Sequence, residues 1–323
     1  MTATISRAVL AALCLAAVSP ATAQTYPDRS VRIIVPFAAG GGSDVVARAI
    51  ALKLTDKLGQ SFVVENRTGG GGSLGAAQAA RATPDGYTLL LGSSSEIAQY
   101  PNVASNVPYD SIRDFVPIAL IATVPFVLTV TDSLPVKSTQ DVIAHAKQNP
   151  GKLNFGSAGP GSATHLAMAL FNSMTGTQMT HVPYRGSAPV VTDLIAGNLQ
   201  LAIATMAAVL PHATGGKVRL LSVSTAKRAL ALPNVPTIQE SGVPGYATGL
   251  WTGLLAPAGT PPAIVTRLAA AVAEALAAPE MRGILAAQGA EQTAGTPAQF
   301  AEEIRRELAV WKDVAQKTGI RID

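Results

Sequence analysis

Short apolar strands alternate with helices along this chain, and that alternation limits the possible folds more than any other feature of the sequence. Residues 31–37 predict a buried strand, and residues 62–65 and 87–91 predict two more. Between them, residues 44–58 and 73–82 predict helices, the first with apolar side chains on one face. A series of this kind is typical of a parallel α/β sheet covered by helices.

A second series of the same kind occupies the middle of the chain. Residues 116–130 are too long for one ordinary strand and predict two strands that break near Pro125. Predicted helices and strands then alternate at residues 139–149, 152–155, 162–174, 178–182, 188–196, 199–204, 207–212 and 218–222.

The last part of the chain returns to the first series. Residues 247–256 predict a strand, followed by predicted helices at 262–277, 279–288 and 297–318. The extended stretches 116–130 and 243–256 can therefore carry the chain out to a second domain and back. We expect an α/β fold of two lobes joined by two crossing strands, with lobe 1 at residues 24–122 plus 246–323 and lobe 2 at residues 123–245.

The first 23 residues have the pattern of a secretion signal. Arg7 precedes an apolar run at residues 8–18, and residues 21–23 fit the small-x-small cleavage pattern. We expect a signal peptide over residues 1–23, cleaved after Ala23, and export to the periplasm. Cys14 lies inside this segment, so we expect a mature chain whose stability comes from core burial and not from disulfides.

Charge and residue types argue against several classes of function. Only 14% of the residues are charged, the formal net charge is +4, and no run of Lys or Arg could follow a phosphate backbone. The four His are widely spaced, and neither H-E-x-x-H nor G-K-[ST] occurs. We therefore expect no nucleic-acid partner, no metal site and no cofactor, and we predict no transmembrane helix in the mature chain.

The glycine-rich loop at residues 69–75 matches two motifs, and its context supports neither. Gly70, Gly72 and Gly75 satisfy the dinucleotide pattern G-x-G-x-x-G, but three residues separate the loop from the preceding predicted strand. Ser73 satisfies the nucleophile pattern G-x-S-x-G, and a distant His would complete a serine hydrolase site. We favour a simpler interpretation, in which small residues let the start of a helix pack closely.

Gly/Ser-rich turns follow several of the predicted strands, at residues 37–44, 156–162 and 183–187. Each opens a predicted helix, whereas a fourth turn at residues 92–95 offers three hydroxyl groups without an obvious helix. Helix N-termini have unpaired N–H groups and a partial positive charge, which suit carboxylates or phosphates. In open α/β sheets, ligands lie beyond the carboxyl ends of the strands. The turns therefore predict an anion-binding cleft.

Five segments together resemble the substrate-binding proteins of tripartite tricarboxylate transporters, the Bug (Bordetella uptake gene) or TctC-type receptors. They are residues 26–48, 58–92, 149–167, 181–203 and 216–246, and they span most of the predicted mature chain. The resemblance implies a periplasmic-binding-protein-like (type II) Venus-flytrap fold. It also implies a secreted receptor without catalytic activity, whose ligands are small carboxylates.

The same resemblance implies which residues bind the ligand. They are Phe37, Ala39, Gly40, Ser43, Asp44, Ser93, Ser94, Ser157, Gly161, Ser162, Thr164, His165, Tyr184, Arg185 and Thr205. We expect Ser43 to cap its helix, and Asp44 to stabilise that helix or bind a water. Arg48 is expected to be structural. Arg185 either forms a direct fork with a carboxylate or fixes its turn at the surface.

One position departs from the family pattern. Many members carry an Asp just after the strand predicted at residues 199–204, where this chain has Ala204, Thr205 and Met206. An ammonium group would lack its partner there, so the departure argues against an amino-acid ligand.

We therefore expect a periplasmic solute-binding receptor, monomeric, that captures a small organic carboxylate and passes it to the membrane subunits of a tripartite tricarboxylate-type transporter. Two alternatives stay open. One is a sensory protein that docks on the periplasmic domain of a sensor kinase. The other is a serine hydrolase that uses Ser73 or Ser157 with a distant His.

Overall fold

The structure is a computed structural model that describes residues 26–322. The predicted signal peptide and its cleavage after Ala23 lie outside the described residues.

Strands and helices alternate through most of the described chain. The strands are β1 (Val31–Val35), β2 (Phe62–Asn66), β3 (Thr88–Ser93), β4 (Phe115–Val124), β5 (Phe126–Thr131), β6 (Asn154–Ser157), β7 (Thr180–Pro183), β8 (Leu201–Thr205), β9 (Val218–Val223), β10 (Leu250–Pro257) and β11 (Glu291–Gly295). The helices are α1 (Gly42–Leu58), α2 (Ser73–Ala80), α3 (Tyr100–Val103), α4 (Thr139–Gln148), α5 (Ala163–Thr175), α6 (Ser187–Ala196), α7 (Met206–Ala213), α8 (Pro262–Ala277), α9 (Pro279–Ala287) and α10 (Pro297–Thr318).

The strands form two separate sheets, which define two lobes. In lobe 1 the strand order is β11-β4-β10-β3-β1-β2, and β1 runs parallel to both β2 and β3. In lobe 2 the order is β7-β6-β8-β5-β9, and β6 runs parallel to both β7 and β8. Because the carboxyl ends of parallel strands meet at one edge of a sheet, each lobe gathers several strand-to-helix turns at one edge.

Two segments of chain join the lobes. β4 ends in lobe 1 at Val124 and β5 begins in lobe 2 at Phe126, so the predicted break at Pro125 is confirmed. The return path runs from β9 to β10. The buried Ser224 joins the two paths, since its Oγ accepts from the Phe126 amide at 3.1 Å and donates to the Thr248 carbonyl at 2.7 Å. The expected fold of two α/β lobes joined by two crossing strands is therefore correct, while the exact lobe boundaries stay a prediction.

Each lobe has apolar side chains on both faces of its sheet. In β1, Val31, Ile33 and Val35 pack into one cluster with α1 and α8, whereas Ile34 packs on the opposite face with α2 and Phe300 of α10. β5 in lobe 2 alternates in the same way. Sheets that helices cover on both faces produce the nearly continuous apolar strands of the sequence.

The helices α8 and α9 are the most apolar consecutive pair. Val265, Leu268 and Val272 of α8 are buried in the lobe 1 core. Within residues 26–322, no single helix is long and apolar enough to cross a membrane; α8 and α9 reach that length only when taken together, and they are bent by 79°.

Two local predictions are wrong. β11 was not predicted, because this edge strand is mostly exposed and carries no apolar run. The turn at residues 92–95 was expected to lack a helix, yet β3 leads directly into one π-helical turn at Ser95–Gln99, which continues into α3. Polar side chains of that turn are buried between elements, so the usual alternation of apolar and polar residues does not reveal it.

Candidate functional site

The strand-to-helix turns of the two lobes approach each other closely. The region in which they meet is called the crevice. A Cβ added to Gly186 of lobe 2 would lie 3.9 Å from the Ala38 Cβ of lobe 1. A Cβ added to Gly71 of lobe 1 would lie 2.9 Å from the carbonyl carbon of Gly161 in lobe 2. The Ala163 amide donates to the Ser95 Oγ at 3.0 Å, which adds a direct hydrogen bond between the lobes. The turns chosen from the sequence therefore share one crevice.

Asp44 holds the turn between β1 and α1 in shape. Its carboxylate accepts from the Gly40 amide at 2.9 Å, from Arg48 Nε at 3.0 Å and from Asn66 Nδ2 at 2.9 Å. Asn66 Nδ2 also donates to the Phe37 carbonyl at 2.9 Å. The side chain of Asp44 is therefore fully occupied by its own turn, which supports the expectation that it stabilises the helix start, and Arg48 has the structural role that was expected.

The Asp44 carboxyl is ionised near neutral pH. Burial alone would raise the pKa of this carboxyl, but hydrogen bonds from Arg48, from the Gly40 amide and from Asn66 outweigh burial and lower the pKa below its usual value. The turn therefore keeps its shape in the pH range in which carboxylate ligands are ionised.

Ser43 does not cap α1, so that prediction is wrong. The N-cap residue is Gly41, and no side chain accepts a hydrogen bond there. Within residues 26–322, the amides of Ala38, Ala39, Gly42 and Ser43 have no hydrogen-bond partner. Ala39 and Gly40 are exposed and Phe37 is half-buried at the start of the turn. The start of α1 thus has free N–H groups close to the region where the lobes meet, and such groups suit an anion.

The three serines after β3 have different roles. Ser93 donates through its amide and its Oγ to the Glu96 carboxyl, both at 2.5 Å. Ser94 is fully buried, and its Oγ accepts from Gln99 at 3.3 Å. Ser95 reaches lobe 2 through the bond to Ala163. Both predicted residues, Ser93 and Ser94, are therefore used inside lobe 1, and the neighbouring Ser95 contacts the other lobe.

The hydroxyl groups of the turn between β6 and α5 hold that turn together. Thr164 Oγ1 accepts from the Ala158 amide at 3.0 Å, and Ser162 Oγ donates to the Gly159 carbonyl at 2.7 Å. Ser162 also caps α5, because its Oγ accepts from the His165 amide. Gly161 is buried against lobe 1, where an added Cβ would lie 2.6 Å from the Tyr100 ring. These residues shape the lobe 2 wall of the crevice.

Two histidines stack beside this turn, His165 on α5 and His181 on β7. The ring centroids of His165 and His181 are 3.9 Å apart at 11°, and Phe155 stacks on His181 at 5.0 Å. His165 Nδ1 accepts from the Gly161 amide at 3.2 Å, so this nitrogen carries no proton. Burial lowers the pKa of His165 to about 4, with a further contribution from His181, and burial also lowers the pKa of His181. Both rings are therefore neutral at pH 7.

Ser157 and His181 form a contact that a serine hydrolase would need. Ser157 Oγ lies 2.6 Å from His181 Nε2. Ser157 is only 1% exposed, however, and its Oγ also bonds to the amide and carbonyl of Gly159. Burial is the sole cause of the pKa shift of His181, so no carboxylate of the described residues acts on its ring. Two members of a triad are present without the acid that would orient the base.

The remaining predicted residues lie at the lobe 2 rim. The Tyr184 hydroxyl donates to Asp193 of α6, and burial, together with this hydrogen bond, raises the pKa of Tyr184 to about 12. Arg185 is exposed and makes no ion pair with any described residue. Thr205 is the half-buried N-cap of α7, without a side-chain cap bond.

Two cavities accompany these residues. A narrow pocket with no room for a water molecule lies under the lobe 2 turns, between Ser157, Thr164, Ser187 and Ile203. A wider groove of about 570 Å³ lies on lobe 1 between Arg67, Leu74 and Arg81, outside the crevice. Among the described residues, no three His, Cys, Asp or Glu converge as a metal site.

Comparison with known proteins places the chain in a family. The model of the tripartite tricarboxylate transporter family receptor, TctC, matches residues 46–320. This chain belongs to that family. Protein BugT of Bordetella pertussis is 39% identical over 305 residues, which cover 94% of this chain and 94% of BugT.

Solved structures agree with this membership in the TctC family. The structure of R. palustris Rpa4515 with adipate has a TM-score of 0.87 and 42% identity, covering 92% of this chain and 99% of that chain. MatC (Rpa3494) from Rhodopseudomonas palustris with bound malate has a TM-score of 0.85 and 34% identity, covering 90% of this chain and 99% of that chain.

Residues of this TctC-family receptor that the sequence did not single out also lie at the crevice. Gly71 was interpreted only as a small residue for close packing, yet it touches lobe 2. Glu96 was not considered, because a single acidic residue after a serine run has no motif. Its proximity to three serines was the available signal, since a buried carboxyl needs nearby donors.

Proposed function

We propose that this protein is a periplasmic receptor that holds a small dicarboxylate between its lobes and delivers it to the membrane subunits of a tripartite tricarboxylate-type transporter. The main support is the row of unpaired amides at the start of α1, next to the Ala38–Gly186 approach of the two lobes. The adipate and malate of the two similar structures are both dicarboxylates, which is the ligand class proposed.

One carboxylate of the ligand would bind at the turn of residues 37–44. The fixed amides there would replace part of its hydration without a buried cation. Arg185, at the rim of the opposite lobe, would meet the second carboxylate, since its guanidinium has no other ionic partner in the described chain. Binding at both lobes would favour the closed arrangement, because only a ligand that contacts both lobes shifts an open–closed equilibrium.

Thermal-shift measurements on protein stripped of ligand by unfolding and refolding would test this proposal. Adipate and malate should raise the melting temperature, whereas adipamide, which has the same chain without charge, should not. The Arg185→Ala variant should bind adipate at least about tenfold more weakly, because a charge-assisted hydrogen bond contributes about 1.5–3 kcal/mol. A panel of organic acids without any stabilising member would contradict the proposal.

The partner and the oligomeric state belong to the same proposal. We propose a monomer that is exported by the N-terminal signal peptide and docks on the transporter. Deleting the transporter genes should abolish uptake of the ligand. If ligand-dependent gene induction survives that deletion, the receptor also serves a sensor kinase.

A hydrolase is the second candidate, favoured only by the Ser157–His181 contact. We propose that this contact shapes the turn and performs no catalysis, because Ser157 is buried and no carboxylate of residues 26–322 contacts its base. Turnover on a panel of esters that disappears in Ser157→Ala would reverse this conclusion.

A further inference from the structure

Glu96 is a completely buried acid near the crevice. Its relative exposure is 0%, and its two carboxyl oxygens accept from the amide and the Oγ of Ser93. The residue follows Ser95 directly, and Ser95 makes the hydrogen bond to Ala163 of lobe 2. Glu96 therefore belongs to the turn through which lobe 1 contacts lobe 2.

No cation compensates this carboxyl among the described residues. The groups packed around it are Ser93 and Gly92 of β3, Gly72 of the glycine loop, Phe37, and Tyr109, whose hydroxyl donates to the Glu96 carbonyl at 2.5 Å. Tyr109 and the nearby Tyr100 are the titratable side chains in these surroundings, and burial raises the pKa of Tyr109, so its phenol is neutral at physiological pH. A buried carboxylate without a cation is unfavourable, so the acid form is preferred.

The pKa agrees with this packing. Burial raises the pKa of Glu96 to about 8, although hydrogen bonds from Ser93 oppose the shift. Glu96 also raises the pKa of Tyr109, second to the effect of burial. At pH 7 the side chain is therefore mostly protonated and adds no negative charge to lobe 1.

The carboxyl group lies close to the side chain of Phe37, the residue that begins the proposed ligand-binding turn. A Cβ added to Gly72 would lie 3.2 Å from Glu96 Oε2 and 3.1 Å from Phe37 Cζ, so Glu96 and Phe37 border the same small space. Phe37 begins the turn whose amides are proposed to bind the ligand. A negative charge on Glu96 would therefore act on a bound carboxylate through packed, water-poor protein, where charges are poorly screened.

We propose that Glu96 is a specificity-determining residue that must be protonated for the receptor to hold its anionic ligand, so that carboxylate binding and Glu96 protonation are linked. This inference rests on the proposed carboxylate binding. By reciprocity, the ligand favours the proton on Glu96 as much as the proton favours the ligand. Above the range in which Glu96 ionises, binding becomes weaker although the ligand itself does not change charge.

Adipate affinity measured by calorimetry from pH 6.5 to 9.5 would test the proposal. Carboxyl groups ionise near pH 4, so adipate carries a constant charge over this range. The wild-type dissociation constant should rise roughly tenfold, an effect of the size expected for two like charges in packed protein at an effective dielectric constant of about 20. The isosteric Glu96→Gln variant should bind at pH 9.5 as tightly as at pH 6.5.

Glu307→Gln is the matched control. Glu307 of α10 is also buried, and burial raises its pKa to about 7. Its Oε1 accepts from Gln99, the last residue of the π-helical turn, at 3.2 Å. Removing this acid should leave the alkaline loss of affinity unchanged. A second measurement needs no variant: wild-type protein at pH 8, titrated in two buffers of different ionisation enthalpy, should take up protons when adipate binds.

The outcomes separate this inference from the proposed function. Wild-type and Glu96→Gln proteins that lose affinity in parallel, or binding without proton uptake at pH 8, would overturn the role of Glu96 and leave carboxylate binding intact. Failure of adipate, malate and the rest of the acid panel to bind at pH 6.5 would contradict the proposed function and, with it, this inference. If Glu96→Gln does not fold, the proton-uptake measurement decides alone.

Discussion

At the scale of single residues, this receptor fixes its crevice with buried polar side chains that never need to touch the ligand. Asp44 holds one turn, and the hydroxyl groups of Ser162 and Thr164 hold the turn opposite. In the proposed function, the ligand would then meet backbone groups whose positions are set in advance. Such preorganisation avoids the cost of ordering loops when the ligand binds.

Replacing Asp44 tests this division of roles. Asp44→Ala leaves the Gly40 amide and Asn66 without their acceptor, so we expect a loss of about 3 kcal/mol of stability and weaker adipate binding. Arg48→Ala removes only an exposed partner of the same carboxylate and should cost less than about 1 kcal/mol. Urea unfolding of both variants measures the difference. Equal losses would show that the ion pair, and not the buried acceptor, stabilises the turn.

The stacked histidines predict a dependence of stability on acid. The folded pKa of His165, about 4, lies below the unfolded value of about 6.5, so the folded state binds fewer protons between these values. Stability from this residue is complete above pH 6.5 and is lost as the pH falls through 4. In His165→Asn, the Asn Oδ1 can still accept from the Gly161 amide. This variant should be less stable than wild type by about 1 kcal/mol at pH 7, but its stability should fall less steeply towards pH 4.

Melting temperatures between pH 7 and pH 4 measure that decline. His145→Asn on α4 is the control, since His145 takes part in no ring stack of the described residues, and it should keep the wild-type slope. An unchanged slope in His165→Asn would mean that other groups cause the acid sensitivity.

Residue roles were only partly predictable from the sequence. The Gly/Ser turns were found because glycine and serine together at the end of a strand favour a turn and the start of a helix. Which serine contacts the other lobe was not predictable, because Ser94 and Ser95 are both buried and the π-helical turn that begins at Ser95 has no apolar periodicity. Glu96 was missed for the same reason, since its burial depends on packing against the distant Gly72 and Phe37.

At the scale of elements, the sequence predicted the units that bury an apolar face and missed those that do not. β1 and α1 were predicted close to their observed limits because their apolar spacing is regular. β11 pairs with β4 at the sheet edge through backbone hydrogen bonds, with little help from its side chains. Such a strand is determined by its neighbour and not by its own residues.

Two glycines with different surroundings should respond in opposite directions to substitution by alanine. A Cβ on Gly253 of β10 would overlap with the ring of the buried Phe300, so Gly253→Ala should cost about 1–3 kcal/mol. Gly283 lies inside α9 with open space around it, so Gly283→Ala should gain up to about 1 kcal/mol from helix propensity. Urea midpoints that move in the same direction for both variants would contradict this packing.

At the scale of the whole molecule, the proposed function requires a close approach of the two lobes. The contact of Gly71 with Pro160 and Gly161 joins backbone to backbone, so no side-chain rotation can relieve a clash there. Gly71→Ala would place a Cβ about 3 Å from three atoms of that backbone. We expect the variant to hold the lobes apart and to bind adipate roughly tenfold more weakly, since affinity falls with the fraction of the closed state.

Gly151→Ala separates this effect from backbone strain. Both glycines have positive φ, +62° at Gly71 and +74° at Gly151, so both variants bear a similar left-handed penalty of about 1–2 kcal/mol. Only Gly71 has lobe 2 atoms against it, whereas nothing lies within 4 Å of a Cβ at Gly151. Gly151→Ala should therefore lose stability but keep wild-type affinity. X-ray scattering in saturating adipate should show a larger radius of gyration for Gly71→Ala alone. Wild-type affinity and compactness in Gly71→Ala would mean that the ligand is held without this approach of the lobes.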